Sequence, residues 1–172
     1  MSETPNPEVK VLVVFYSRHG ATERVALAAG LGAIQARGSI RLRRLADLAE
    51  PQVIDADPSW KAARARMSRD YVEPRPADPV WADVIVLATP DGSSVEVEAY
   101  CASLRALGSM AGKIAMPLAA GGGEAALTAL YAAAAAAGLI VVPACALDAD
   151  DPLASVRAHG QQVTGMARAL RA

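Results

Sequence analysis

One stretch near the start of the chain most constrains what the protein can fold into. Residues 9–16 form a nearly unbroken apolar run, and a Ser-x-x-Gly-x-Thr turn follows it over 17–22. A continuous run of Val and Leu is typical of a strand buried on both faces, as in a parallel sheet. Because an amphipathic segment begins directly after the turn, we expect a helix from about 20 to 36. The stretch therefore predicts the strand, turn and helix that open an α/β domain.

The turn after this strand has the chemistry of an anion site. The first N–H groups of a helix have no intrahelical acceptor, and the positive end of the helix dipole attracts phosphate. Hydroxyls and backbone N–H groups would surround one phosphate at Ser17, Arg18, His19, Gly20, Ala21 and Thr22. The alternative is a polar helix cap without a ligand. For His19, a hydrogen bond to the ligand and a position at the bare surface both stay open.

Composition excludes several classes of partner. The chain has 172 residues and a net charge of −1, so no broad basic field indicates nucleic acid. No apolar stretch approaches the roughly 20 residues of a membrane span. Cys101 and Cys145 show neither CxxC nor zinc spacing, which favours a reducing cytoplasm and no metal site. We expect a flexible start over 1–8 and one domain over 9–172.

Strands and helices alternate through the rest of the chain. This alternation predicts an α/β sheet with right-handed crossovers, built from five strands and four or five helices. The other strands are expected over 39–45, 81–90, 112–118 and 139–144, and the other helices over 59–70, 95–107, 124–137 and 155–170. In strand 39–45, Ile and Leu alternate with Arg, which favours an edge strand with one wet face.

The connection over 46–80 is long and rich in proline. Only 59–70 looks helical, with Asp57 or Ser59 as its cap. The arginines of this helix could meet a phosphate, although a solvated helix face is the favoured interpretation. These arginines are Arg64, Arg66 and Arg69.

Three loops rich in Gly, Ser and Thr leave the carboxyl ends of predicted strands, over 17–22, 89–94 and 119–124. Ligands of an open parallel sheet bind beyond those ends, where the strand order reverses. Gly30-Leu31-Gly32 lies inside the first predicted helix, so it is not a dinucleotide motif. Gly112-Lys113 lacks the upstream glycine of a P-loop. The three loops together therefore predict a site for a phosphate and a flat ring.

Five motifs in order along the chain resemble one known family. They are Tyr16 to Glu23, Ala82 to Pro90, Gly112 to Ala115 followed by Gly121 to Glu124, Gly138 to Pro143, and Ala158 to Val163. The set is similar to the flavodoxin-like superfamily, and within it to the WrbA-type (tryptophan-repressor-binding-protein) NAD(P)H:quinone oxidoreductases and NADPH-dependent FMN reductases. The resemblance implies a three-layer, doubly wound, five-stranded parallel sheet in the order 2-1-3-4-5.

The resemblance also implies a cofactor and partners. FMN would place its phosphate at 17–22 and its ring beside two further loops. The ring would lie near Pro90, Asp91, Gly92, Ser93, Gly121, Gly122 and Gly123. NADPH or NADH would be the electron donor, a quinone-like molecule the acceptor, and a homodimer or homotetramer the assembly. No catalytic side chain is assigned, because the cofactor carries the chemistry.

Two functional hypotheses follow. The first is an FMN-dependent NAD(P)H:quinone oxidoreductase. The second is a non-catalytic flavodoxin-fold protein with a degenerate ring site, which binds another phosphorylated ligand or a protein partner. Residues 91–96 favour the second hypothesis, since they contain no aromatic residue and begin with an acid. A one-electron flavodoxin is less favoured, because such carriers are strongly acidic and place aromatic residues on the ring.

Overall fold

A five-stranded, all-parallel sheet forms the centre of the computed structural model, which describes residues 8–90, 95–121, 123–145 and 147–171. The strand order is β2-β1-β3-β4-β5, as predicted, and every pairing is parallel. The strands are β1 Val9–Phe15, β2 Gly38–Arg44, β3 Val84–Thr89, β4 Ile114–Ala119 and β5 Ile140–Val141. The order reverses beside β1, which puts a topological switch point at the carboxyl end of β1 and β3.

Seven α-helices and one 3-10 turn lie between and after the strands within the described ranges. They are α1 Ala21–Gln35, α2 Pro51–Asp55, α3 Pro58–Asp70, α4 Ala77–Trp81, α5 Val95–Leu104, the turn Arg105–Leu107, α6 Glu124–Ala136 and α7 Pro152–Ala169. The predicted count of four or five is wrong because α2 and α4 are too short to show a periodic apolar face. The cap of α3 is confirmed as Asp57, whose carboxylate accepts from the N–H groups of Ser59 and Trp60.

Both faces of β1 are buried, which explains its unbroken apolar sequence. Val11, Val13 and Phe15 point into a core shared with α1 and α7. Leu12 and Val14 point into the opposite core, which α5 and α6 cover.

The connection after β2 folds back over that edge strand. Its edge position is confirmed, but the predicted wet face is wrong. Arg41 and Arg43 both bind the buried Asp78 of α4, at 3.0 and 2.7 Å. Burial raises the pKa of Asp78, but hydrogen bonds from Arg43 and the Arg75 N–H outweigh it and hold the pKa below its usual range. The Arg41 guanidinium also lies 4.1 Å from the centre of the Trp81 ring.

The last strand is shorter than the predicted 139–144. Pro143 has no N–H to donate to a neighbouring strand. The next N–H, on Ala144, donates to the Tyr131 hydroxyl instead. Regular pairing therefore ends after Val141, apart from one further bond from the Val142 N–H to the carbonyl of Ala115 at 3.1 Å.

Candidate functional site

The carboxyl ends of β1, β3 and β4 meet at one edge of the sheet. Ala88 is in register with Phe15, and Thr89 with Ala119. The chain continues this contact beyond the strands, because the Ala120 N–H donates to the carbonyl of Thr89 at 3.0 Å. The three loops that follow these strands therefore begin as neighbours, as the parallel topology requires.

The structure describes some of the residues predicted to hold a ring. Pro90 is half-buried directly after β3, and Gly121 is exposed after β4. Gly123 is the residue before α6, which has no side-chain cap. The remaining predicted ring contacts lie outside the described residues. They are Asp91, Gly92, Ser93 and Gly122.

The turn after β1 forms a tight loop at the start of α1. Ser17 is only 1% exposed, and its Oγ accepts from the Gly20 N–H at 3.0 Å. Gly20 caps the helix with a φ of 105°, a left-handed conformation that favours glycine. Ala21 and Thr22 follow as the first helical residues, whose N–H groups have no intrahelical acceptor. Ser17 thus shapes the loop, and the helix supplies donors for an anion.

A partly buried ion pair lies beside this loop, between the buried Glu23 and Arg66, whose side chain is 43% exposed. Glu23, in the first turn of α1, accepts from Arg66 of α3 at 2.8 and 2.5 Å and from the Tyr71 hydroxyl at 2.6 Å. The Arg66 hydrogen bonds are the largest influence on the pKa of Glu23, which lies below its usual range. A Cβ added to Gly20 would lie 3.4 Å from Glu23 Oε2 and 3.7 Å from the Arg66 guanidinium. Arg66 therefore neutralises a carboxylate that would otherwise repel an anion at the loop.

A second buried carboxylate, Asp47, joins the ends of β1 and β2 to α3. It accepts from the Tyr16 hydroxyl at 3.0 Å, from Trp60 Nε1 at 2.9 Å and from Arg44 at 2.9 Å. Burial raises the pKa of Asp47, but these hydrogen bonds, led by Arg44, outweigh it and lower the pKa. The Tyr16 pKa is raised, chiefly by burial and then by the Asp47 charge. Through Asp47, this cluster holds Tyr16, the residue directly before the loop, against Trp60 of α3.

The exposed side chains of the loop also contact α3. The Arg18 guanidinium lies 4.9 Å from the centre of the Trp60 ring, within the range of a cation–π contact. His19 Nε2 lies 3.1 Å from Asp57 Oδ2. Hydrogen bonds from Ser59, the Trp60 N–H and His19 hold the pKa of Asp57 well below its usual range. His19 therefore lies exposed at the surface, where it contacts the cap of α3.

These contacts show what the long connection does. Helix α3 covers the loop after β1 by three independent links, through Glu23, Asp47 and Asp57. The arginines of α3 are partly in solvent, as the favoured interpretation expects, and two of them also pair with carboxylates, Arg66 with Glu23 and Arg64 with Asp47 at 3.6 Å. Sequence reasoning missed Glu23 and Asp47 as parts of the site because, apart from Arg44, their partners lie 13 to 48 positions away along the chain.

Two clefts flank the loop edge. One, of about 230 Å³, lies between the first turns of α1 and α7 and is lined by Ala21, Arg24 and Ala120 among others. The other, of about 400 Å³, runs along α5 on the opposite side of the sheet.

No group of three or more His, Cys, Asp or Glu able to hold a metal comes together in the part of the chain that the structure describes. Cys101 is buried in the core, and this burial raises its pKa to about 12. Across the same ranges, no helix is long and apolar enough to cross a membrane.

Comparison with curated proteins finds related sequences. The chain is 31% identical over 146 residues to a Deinococcus radiodurans protein named NAD(P)H dehydrogenase (quinone), covering 78% of this chain and 72% of that protein. It is 27% identical to a Brucella anthropi protein of the same name, covering 78% of this chain and 70% of the relative. No protein-family model matches the chain.

Solved structures share the fold at low identity. The diflavin flavoprotein A3 of Nostoc sp. superposes with a TM-score of 0.62 at 14% identity, covering 96% of this chain and 97% of that one. A flavodoxin from the domain Archaea superposes with a TM-score of 0.63 at 16% identity, covering 93% of this chain and 99% of that one. Flavodoxin 2 of Bacillus cereus gives 0.58 at 15% identity, covering 95% and 100%. The likeness shows that the fold is flavodoxin-like.

Proposed function

The chain belongs to the family of proteins named NAD(P)H dehydrogenase (quinone), and from that premise we propose that it is an FMN-binding oxidoreductase. It would take electrons from NADPH or NADH and reduce quinones or similar small acceptors. The name of the relatives supports the donor and the acceptor, and the geometry of the loop after β1 supports the phosphate end of the cofactor.

The observation that carries the proposal is the conformation of Gly20. Its φ of 105° lets the backbone turn into α1 with the first N–H groups of the helix facing the loop. Any side chain at this position would enter the space beside Glu23 and Arg66. Such a Cβ would be in ordinary van der Waals contact, so the support for a phosphate comes from the start of α1, whose free N–H groups follow the turn directly. The residues present therefore fit the phosphate of FMN.

Each part of the site has a role in this proposal. Ala21 and Thr22 would hold the phosphate through backbone N–H groups, and the bond from the Gly20 N–H to Ser17 holds the loop in shape. Arg18 and His19 would add positive charge or hydrogen bonds at the rim. Pro90, Gly121 and Gly123, which follow β3 and β4, would line the ring through backbone atoms.

FMN, when bound, supplies the transfer of electrons from the nicotinamide to the acceptor. The chain contributes binding and orientation, and no described side chain needs to exchange a proton with the substrate. Arg66 keeps the charge of Glu23 neutralised beside the anionic phosphate.

The test is the oxidation of NADPH by the purified protein in the presence of FMN and a soluble benzoquinone, followed at the nicotinamide absorbance. We expect oxidation that depends on the protein, on FMN and on the quinone together. FMN binding without turnover would instead support the non-catalytic flavodoxin-fold protein, which the acid at 91 and the lack of an aromatic residue over 91–96 favour.

A further inference from the structure

A groove of about 400 Å³ runs along α5 on the side of the sheet away from α1. We call it the α5 groove. It lies between α5 and the segment 73–79, and its walls are mostly apolar, with Leu45, Leu48, Pro74, Pro79 and Leu107 among them. The groove lies on a different side of the sheet from the first turn of α1, so it is not the proposed phosphate site.

Two polar atoms of the groove's lining residues have no hydrogen-bond partner in the part of the chain that the structure describes. Glu96 is 8% exposed, and its Oε2 has no hydrogen bond among the described residues. The hydroxyl of Tyr100 is likewise buried without a partner among them. Both side chains line the groove. Buried polar groups are nearly always hydrogen-bonded, and leaving one unpaired costs free energy, so each such atom needs an explanation.

The spacing of the two residues limits which ligands could bond to both polar atoms. Glu96 and Tyr100 are four residues apart on one helix, so they share a face and lie roughly 6 Å apart along its axis. A carboxylate accepts hydrogen bonds, and a phenol hydroxyl both donates and accepts. An apolar ring with one hydroxyl at each end would satisfy both atoms while its faces contact the apolar walls.

We propose that the α5 groove binds a para-dihydroxybenzene, with one hydroxyl donating to Glu96 and the other paired with Tyr100. We infer this type of ligand from the polar and apolar groups that line the groove. The identity of the natural ligand rests on the proposed function, because a hydroquinone is the molecule that quinone reduction releases. The groove would then be a second site for the reduced product, apart from the cofactor.

The test is an NMR titration of the full chain with 1,4-hydroquinone under argon, with and without saturating FMN. We expect one-to-one binding that shifts amide signals of 96–107 and has the same affinity in both conditions. Shifts confined to 17–22, or binding that FMN abolishes, would place the ligand in the cofactor site and overturn the proposal. Absence of saturable binding would also overturn it.

Two variants and one altered ligand test the polar contacts. Glu96→Leu should weaken hydroquinone binding at least tenfold, and Tyr100→Phe at least threefold. 1,4-Dimethoxybenzene, which cannot donate, should bind the wild-type chain at least tenfold more weakly than hydroquinone. Glu50→Gln removes an exposed acid outside the groove and should leave the affinity unchanged. Unchanged affinity in Glu96→Leu would contradict the proposal.

The outcomes separate the two proposals. If FMN does not bind but hydroquinone still shifts the signals of α5, the proposed function fails and the groove stands. If FMN binds and supports turnover but Glu96→Leu binds hydroquinone like the wild type, the groove proposal fails alone. Should Glu96→Leu not fold, Tyr100→Phe and the dimethoxy compound still decide the question.

Discussion

Gly20 is the residue at which backbone conformation and ligand binding are most closely joined. Gly20→Ala introduces a side chain at a φ of 105° and should cost about 1–2 kcal/mol of stability. Gly20→Asp also adds a negative charge at the helix N-terminus and should abolish FMN binding. Urea unfolding and flavin fluorescence measure the two effects.

Gly108 provides the matched control. It has a φ of 107°, almost the same as Gly20, and a Cβ there would meet nothing within 4 Å. Its ψ of −161°, against −6° at Gly20, belongs to a region that only glycine readily adopts, so Gly108→Ala should lose at least as much stability and keep its affinity for FMN. Wild-type affinity in Gly20→Asp would mean that the phosphate does not bind at this loop.

Arg66 and Glu23 can be tested as a pair. Arg66→Met keeps an apolar stem but leaves the Glu23 carboxylate unpaired beside the loop. We expect FMN to bind at least tenfold more weakly, because the freed charge repels the phosphate. The double variant Glu23→Gln/Arg66→Met should recover most of the affinity, as judged by fluorescence titration. If the double variant binds no better than Arg66→Met, charge neutralisation is not the role of Arg66.

The residues of the site differ in how well sequence predicts them. The turn from Ser17 to Thr22 could be located because a buried strand, a glycine and a helix start follow one another locally. The contact between Glu23 and Arg66 could not, since it joins residues 43 positions apart. Nothing in the sequence around Asp47 shows that three donors from separate segments converge on it.

At the scale of elements, α1 and α7 pack with their backbones in close contact. A Cβ on Gly160 would lie 2.6 Å from the carbonyl oxygen of Ala29, and one on Gly32 would lie 2.1 Å from that of Arg157. Because these neighbours are backbone atoms, the helices would have to separate. Gly32→Ala and Gly160→Ala should each lower the free energy of unfolding by about 1–3 kcal/mol.

Gly165, on the same helix α7, is the control for that prediction. A Cβ there would meet nothing within 4 Å, so Gly165→Ala should raise the free energy of unfolding by about 0.5–1 kcal/mol through helix propensity. Urea unfolding of the three variants checks the contrast. Equal effects at Gly160 and Gly165 would show that close helix packing is not what these glycines provide.

The elements themselves were predictable to different degrees. All five strands and their order follow from the apolar runs and the resemblance, because buried parallel strands leave a strong pattern. Helices α2 and α4 could not be predicted, since five residues carry no helical period. β5 ends early because Pro143 has no N–H, which the sequence shows, and because the Ala144 N–H bonds to Tyr131, a contact that no local pattern shows.

At the scale of the whole molecule, three paired carboxyls tie the long connection to the sheet and to α1. The pKa values of Glu23, Asp47 and Asp78 are all lowered in the folded state. A lowered pKa contributes stability above the pKa of the unfolded chain, and this stability is lost as the pH falls through the folded value. The free energy of unfolding should therefore decrease as the pH is taken from 6 towards 3.

Asp47→Asn tests the largest of these clusters. At pH 7 the free energy of unfolding of this variant should be about 3–5 kcal/mol below that of the wild type. The reason is that the substitution leaves the buried Arg44 without its charged partner. The difference from the wild type should shrink in acid, where Asp47 itself becomes protonated. Urea unfolding at both pH values measures it, and a difference that does not change with pH would contradict the assigned role.

The oligomeric state and the cytoplasmic location of the whole molecule are predictions that stay to be tested. A homodimer or homotetramer is expected, and light scattering of the purified chain would measure it. Apolar side chains such as Leu48 and Val80 are 59% and 58% exposed, and a second copy could cover them.

Cofactor binding is the point on which the whole account depends. The direct measurement is a titration of FMN with the purified chain, followed by the quenching of flavin fluorescence. We predict saturation at one FMN per chain, with tighter binding of FMN than of riboflavin because the loop after β1 holds the phosphate. Unquenched fluorescence at high micromolar FMN, or equal affinity for riboflavin, would contradict it.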